Sequence, residues 1–116
     1  MSRHEDIVLL RHMLDHAREA AEMAQGKTRS DLDRDRKLNL SLVRLLEIVG
    51  EAASRMTSDE RTHYPTIPWP EIVSLRNRLI HGYDAVDFDI LWEIITQDLP
   101  SLIAELEKTV PPEKNP

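Results

Sequence analysis

Arg36-Lys37-Leu38-Asn39-Leu40-Ser41-Leu42-Val43-Arg44-Leu45-Leu46-Glu47-Ile48-Val49-Gly50-Glu51-Ala52-Ala53-Ser54-Arg55-Met56 decides the fold class. Leu38, Leu42, Leu45, Val49, Ala52 and Met56 recur at steps of four and three, the period of an α-helix. Leu40, Val43, Leu46 and Ala53 add a second apolar strip beside the first. A helix apolar over so wide an arc is buried on two sides, so it is either central or at an oligomer interface. Gly50, Ala52, Ala53 and Ser54 let another helix approach closely, against a propensity cost of about 1 kcal/mol for the glycine. Glu47 and Glu51 share one face. A solvated or structural role is the plainer reading, and pairing with arginines the other.

Helical periodicity continues on both sides. Ile7, Leu10, Leu14, Ala17, Ala21 and Ala24 predict a helix from His4 to Ala24, with Gly26 as the residue that ends it. His12 and His16 are four apart, but no glutamate lies between them and no third ligand is in view, so a solvated face fits better. From Lys27 to Lys37 the chain is strongly charged, with Ser30 and Asp33 resembling a helix start. This is a solvated connector or, less simply, a patch of Arg34, Arg36 and Lys37 that grips RNA or an acidic partner. Thr57-Ser58-Asp59-Glu60 has the form of a capping box. Ile67-Pro68-Trp69-Pro70-Glu71 suits an extended approach and then a first helical turn, with Trp69 a packing anchor rather than a stacking platform. A third helix is predicted over Trp69–His81, burying Ile72, Leu75 and Leu79. Asp87 or Asp89 caps a last helix reaching Thr109, which Pro100 kinks or splits at Leu99. Residues 1–110 thus form one all-α domain, and 111–116 a disordered tail.

Composition agrees. A chain of 116 residues is one domain, and only 3 glycines with few β-branched or aromatic runs argue against a sheet. The absence of cysteine removes disulfides, thiolate zinc sites and cysteine nucleophiles together. No long apolar run opens the chain, so neither a signal peptide nor a membrane helix is expected, and the cytoplasm is the default location. A net charge of −6 speaks against broad, sequence-blind nucleic-acid binding and leaves room for a small basic pocket.

One stretch exceeds what packing requires: Leu75-Arg76-Asn77-Arg78-Leu79-Ile80-His81-Gly82-Tyr83. Arginine clamps phosphates, histidine moves protons near neutral pH, and a tyrosine hydroxyl donates, accepts or is modified. On a continuous helix Asn77 and His81 are neighbours, so Asn77 can fix the imidazole tautomer. Arg76 and Tyr83, seven apart, also align if the helix persists through Gly82. Arg76 and His81 lie roughly 140° apart on that helix, a gap that a distorted last turn or a second copy of the chain can close. Cleavage of RNA by its own 2′-hydroxyl fits these groups, with histidine transferring a proton and arginine stabilising charge on the phosphate. Surface salt bridges and a plain helix end are the competing account.

Arg76-x4-His81-x-Tyr83 resembles the motif of HEPN-domain toxins, specifically the HepT-like family. Leu45–Ala53 resembles that family's central helix, and Ile67-Pro68-Trp69, Leu91-Trp92-Glu93-Ile94 and Asp98-Leu99-Pro100 are also similar to it. The resemblance implies a HEPN-like up-and-down bundle of four to five helices that dimerises around a shared cleft. It also implies an endoribonuclease needing no metal or other cofactor, the toxin of a type VII toxin–antitoxin pair. Arg76 and His81 become the catalytic pair, Asn77 the orienting residue, and Arg78 and Tyr83 RNA contacts. The antitoxin it implies is an MntA-like nucleotidyltransferase that silences the nuclease by AMPylation of Tyr83. The alternative is a non-enzymatic helical dimer that binds and regulates, or is modified by, such a transferase. A third reading is direct nucleotide binding in the cleft.

Overall fold

The long apolar helix is the axis around which the other elements pack. The computed structural model describes residues 3–81 and 85–112. In it, helix α3 (Arg36–Ser54) starts where the Asp35 carboxylate accepts the Leu38 N–H at 3.0 Å. On one flank α3 meets α1 (Arg3–Ala24), and on another α5 (Trp69–Val73) and α6 (Leu75–Leu79). Leu42, Leu46, Val49 and Ala53 are fully buried, and Leu38, Val43, Leu45 and Ala52 nearly so. Both apolar strips are therefore spent inside one chain, and the width of the arc is no argument for a second copy. Leu40 alone of these residues stays half-exposed.

α1 ends as predicted, with Gly26 in the left-handed region at φ 77°. The charged connector is itself helical: α2 (Arg29–Arg34) begins at Thr28 rather than Ser30, because the Thr28 N–H donates to the Asp31 carboxylate at 2.7 Å. That bond, with Arg34 beside it, holds the Asp31 carboxyl below its ordinary range. Thr57 and Glu60 form the predicted capping box at α4 (Ser58–Arg61). Trp69 is buried, its indole N–H donating to the Tyr64 carbonyl at 3.1 Å, as a packing anchor should.

The segment read as one helix over Trp69–His81 is broken twice. α5 stops at Ser74, and α6 stops at Leu79, after which Ile80 is extended at φ −107° and ψ 118°. β1 (Ile80–His81) then pairs antiparallel with β2 (Ala85–Val86), matching Ile80 to Val86 and His81 to Ala85. The Asp87 N–H donates to the Leu79 carbonyl at 2.8 Å, taking an acceptor that a continuing helix needs for itself. This small hairpin is the one departure from all-α among the described residues.

Asp87 caps α7 (Phe88–Glu93) by accepting the Ile90 N–H at 3.0 Å. A π turn (Ile94–Asp98) leads into α8 (Leu99–Thr109), with the Leu99 N–H reaching back to the Ile94 carbonyl. Pro100 explains it: in a regular helix its ring would strike the Thr96 carbonyl, and a widened turn relieves the clash. The predicted split at Leu99 thus takes the form of a bulge. At the C-terminal end Arg11 donates to the Pro111 carbonyl, while residues 113–116 of the expected tail lie outside the described residues. Among the described residues no helix is long and apolar enough to cross a membrane.

Candidate active site

Three basic side chains of the motif segment each face a carboxylate from a different element. Arg76 Nε lies 3.5 Å from Glu47 Oε2 on α3. Two residues on, Arg78 Nη2 lies 3.0 Å from Asp98 Oδ2 on the π turn. His81 Nε2, on β1, lies 3.5 Å from Asp87 Oδ2. The break at Leu79 is what allows this arrangement, because the strand points His81 where no helical turn would carry it.

Asp87 is a functional candidate that sequence reasoning treated only as a cap. Its backbone is tied to Leu79 and its Oδ1 to Ile90, so Oδ2 is held in place towards the imidazole. Facing Nε2, it leaves Nδ1 as the ring nitrogen without a hydrogen bond among the described residues. The signal in the sequence was faint: a glycine after His81, then an aspartate six residues past the histidine with one β-prone residue, Val86, between.

The Asn77–His81 pair required a helix through His81. With α6 ending at Leu79 that premise fails, and among the described residues no hydrogen bond joins the two. Asn77 is exposed on the last turn of α6, beside Arg76. The predicted alignment of Arg76 with Tyr83 loses its basis for the same reason. Tyr83 itself lies outside the described residues. Arg76 and His81 keep exposed side chains, at 65% and 58%, so both are open to a ligand.

Other sequence candidates separate from this site. Arg34 pairs with Asp31 at 3.2 Å on an exposed surface, while Arg36 and Lys37 are exposed at the start of α3. Arg29, unnoticed in the sequence, bridges Asp33 and Asp89 and lies over the Phe88 ring, fastening α2 to the start of α7. His16 Nδ1 donates to the His12 carbonyl at 2.6 Å, a local helix contact. Among the described residues no group of three or more His, Cys, Asp or Glu side chains is placed to hold a metal.

The family model described as Ribonuclease HepT-like matches residues 13–109. This chain belongs to the HepT-like ribonuclease family. It is similar to "Probable ribonuclease HepT" of Thermococcus cleftensis, 37% identical over 99 residues, covering 82% of this chain and 90% of that protein. It is similar to "Putative RNase MJ1380" of Methanocaldococcus jannaschii, 33% identical over 107 residues, covering 92% of this chain and 98% of the relative. A third relative, "Putative RNase TTE0752" of Caldanaerobacter subterraneus subsp. tengcongensis, is 33% identical over 105 residues, with 90% and 94% covered. No solved structure matches. Family membership accords with the helical fold and places the motif segment inside the matched region.

Proposed function

We propose that this chain is an endoribonuclease that cleaves RNA through the RNA's own 2′-hydroxyl. The observation that carries it is the HepT-like match together with Arg76 and His81 exposed on one short α6–β1 segment. The 2′-oxygen attacks the adjacent phosphorus as its proton passes to a base, and the 5′-oxygen of the next nucleotide leaves with a proton from an acid. A 2′,3′-cyclic phosphate and a free 5′-hydroxyl result. His81 Nδ1 serves as one of these proton carriers, with Asp87 steadying the imidazolium from the other side. Arg76 stabilises the charge that builds on the phosphate oxygens, releasing Glu47 to do so. Two copies arranged around a shared cleft would supply the second histidine. Arg78 and Tyr83 complete the RNA contacts, and Asn77 stands beside Arg76 as support.

The finer biological role follows from the motif tyrosine and the family resemblance. In this proposal the chain is a toxin whose antitoxin is an MntA-like nucleotidyltransferase. Tyr83 Oη attacks the α-phosphorus of ATP, loses its proton, and pyrophosphate leaves. The added AMP brings bulk and negative charge where RNA phosphate should sit, which is sufficient to block the site.

The test is expression of the chain alone with cellular RNA, tRNA included, beside His81→Ala. Wild type should cleave RNA and arrest growth while the variant does neither; identical behaviour of the two sinks the enzyme reading. Mass spectrometry after incubation with the transferase and ATP should find AMP on Tyr83. Modification without any nuclease activity would favour the binding-module reading instead.

A further inference from the structure

Between α3, α5–α6, the π turn and α8 lies a cleft of about 300 Å³. Leu46, Ile72, Leu75, Leu99 and Leu102 supply aliphatic walls. Its rim is polar in a particular way. Arg78 Nη2 and Asp98 Oδ2 are already joined at 3.0 Å, leaving the second Asp98 oxygen and the remaining guanidinium N–H groups as an acceptor beside donors. Gln97 and Glu71 complete the mouth. The π turn is what places Gln97 and Asp98 there, and such widened turns recur at functional sites.

We propose that this cleft binds one nucleobase of the RNA substrate. The inference rests on the ribonuclease reading of the neighbouring motif. Charge decides against a phosphate: Arg78 is neutralised by Asp98, and Glu71 adds a further negative group at the mouth. Neutral, flat, apolar-faced ligands with hydrogen-bonding edges suit what remains. A base inserts its faces between the leucines and offers an acceptor to Arg78 and a donor to Asp98. Position agrees as well. Arg78 and His81 are three residues apart, so their Cα atoms are at most about 11 Å from each other, a span a short stretch of RNA bridges. Arg78 then reads a base while Arg76, on the other side of α6, meets the phosphate.

RNA oligonucleotides differing only in the base beside the cleavage position test this. Wild type should distinguish the four bases by about tenfold or more, the discrimination of one well-made base contact. Asp98→Asn puts an amide N–H where an acceptor stood and should change the ranking of the bases. Ser101→Phe, at the same cleft, should compress the discrimination to about twofold or less. The readout is the ratio between bases, so a general fall in rate does not imitate it. Both variants keeping the wild-type ranking, with unchanged melting temperatures, overturns the proposal while leaving the ribonuclease reading intact. Should wild type cleave nothing, that reading fails and the cleft is tested directly by amide NMR with nucleoside monophosphates. Shifts at Leu75, Arg78, Leu99 and Leu102 that ribose 5-phosphate does not produce support a base site. No such shifts, or shifts that arise on dilution without nucleotide because a second copy leaves the cleft, overturn it.

Discussion

The Asp87 carboxylate does two jobs at once: Oδ1 caps α7 through the Ile90 N–H, and Oδ2 faces His81 Nε2 at 3.5 Å. The two jobs separate by substitution. Asparagine caps a helix as well as aspartate, so Asp87→Asn should melt close to wild type, whereas Asp87→Ala should lose about 1 kcal/mol. Both remove the negative charge beside the imidazole and should lower kcat by about ten- to a hundredfold with little change in KM. Steady-state kinetics beside thermal melts decides it. Full activity in Asp87→Asn would show that the aspartate is only a cap.

Arg76 offers the reverse separation. Its pairing with Glu47 is at an exposed guanidinium, where an ion pair contributes at most about 1 kcal/mol. Its proposed work on the phosphate is larger, and removing one such donor costs roughly a hundred- to a thousandfold in kcat. Arg76→Ala should therefore lose nearly all cleavage and melt within a few degrees of wild type. Arg76→Lys should recover only a part, since an ammonium lacks the planar fork. A variant that loses stability in step with activity would assign Arg76 to structure alone.

Much of this was legible in the sequence, and the failures have one cause. α1, α3, the Thr57 capping box, the Trp69 anchor and an aspartate cap at Asp87 or Asp89 all follow from local periodicity and side-chain chemistry, and the structure selects Asp87. So does trouble at Pro100, although a π turn rather than a clean split is a tertiary solution. The motif segment was misread because Leu75–His81 has a helical pattern, while its ending is set by a partner eight residues downstream from Leu79. The Asp87 N–H captures the Leu79 carbonyl and two strand pairs hold the hairpin, neither of which spacing within a helix can reveal. Hence Asn77 seemed the natural partner of His81, and Asp87 was missed. The breadth of α3's apolar arc was legible too, but only the packing of α1 and α5–α6 shows that one chain satisfies it.

Gly50 is where α3 lets α5–α6 come close. A Cβ built there would stand 3.1 Å from the Ile72 carbonyl oxygen and 3.7 Å from Leu75 Cβ. That oxygen belongs to the α5 backbone rather than to the end of a flexible side chain, so it yields little. Gly50→Ala gains about 1 kcal/mol of helix propensity and meets an overpacking cost of about 1–3 kcal/mol. A net loss of about 1 kcal/mol is expected in denaturant unfolding. Because α5–α6 must shift, cleavage should fall too, although Gly50 is not one of the proposed catalytic residues. Stabilisation by Gly50→Ala would show that the contact is slack.

The buried carboxyls Asp6 and Glu60, 5% and 7% exposed, set a pH dependence whose sign can be worked out. Burial first, then a hydrogen bond and repulsion from Glu60, push the Asp6 carboxyl up, against the opposing attraction of His63. Glu60, accepting the Thr57 N–H of the capping box and a hydrogen bond from Asp6, is held down at about 2. A raised Asp6 means the folded chain grips this proton more tightly than the unfolded one. Its contribution to stability is complete below the unfolded value of about 3.9 and lost as pH rises through the folded value. Glu60 acts oppositely: its contribution is present above about 4.3 and lost as pH falls towards 2. Asp6→Asn keeps a donor for Glu60 and removes the charge that forms at higher pH. It should melt above wild type at neutral pH, with the advantage shrinking as pH falls towards 4. Glu60→Gln should melt below wild type at neutral pH and converge with it in acid. Melting curves across that range check both signs, and an Asp6→Asn variant less stable than wild type at neutral pH would mean the ionised carboxylate is itself a stabilising partner there.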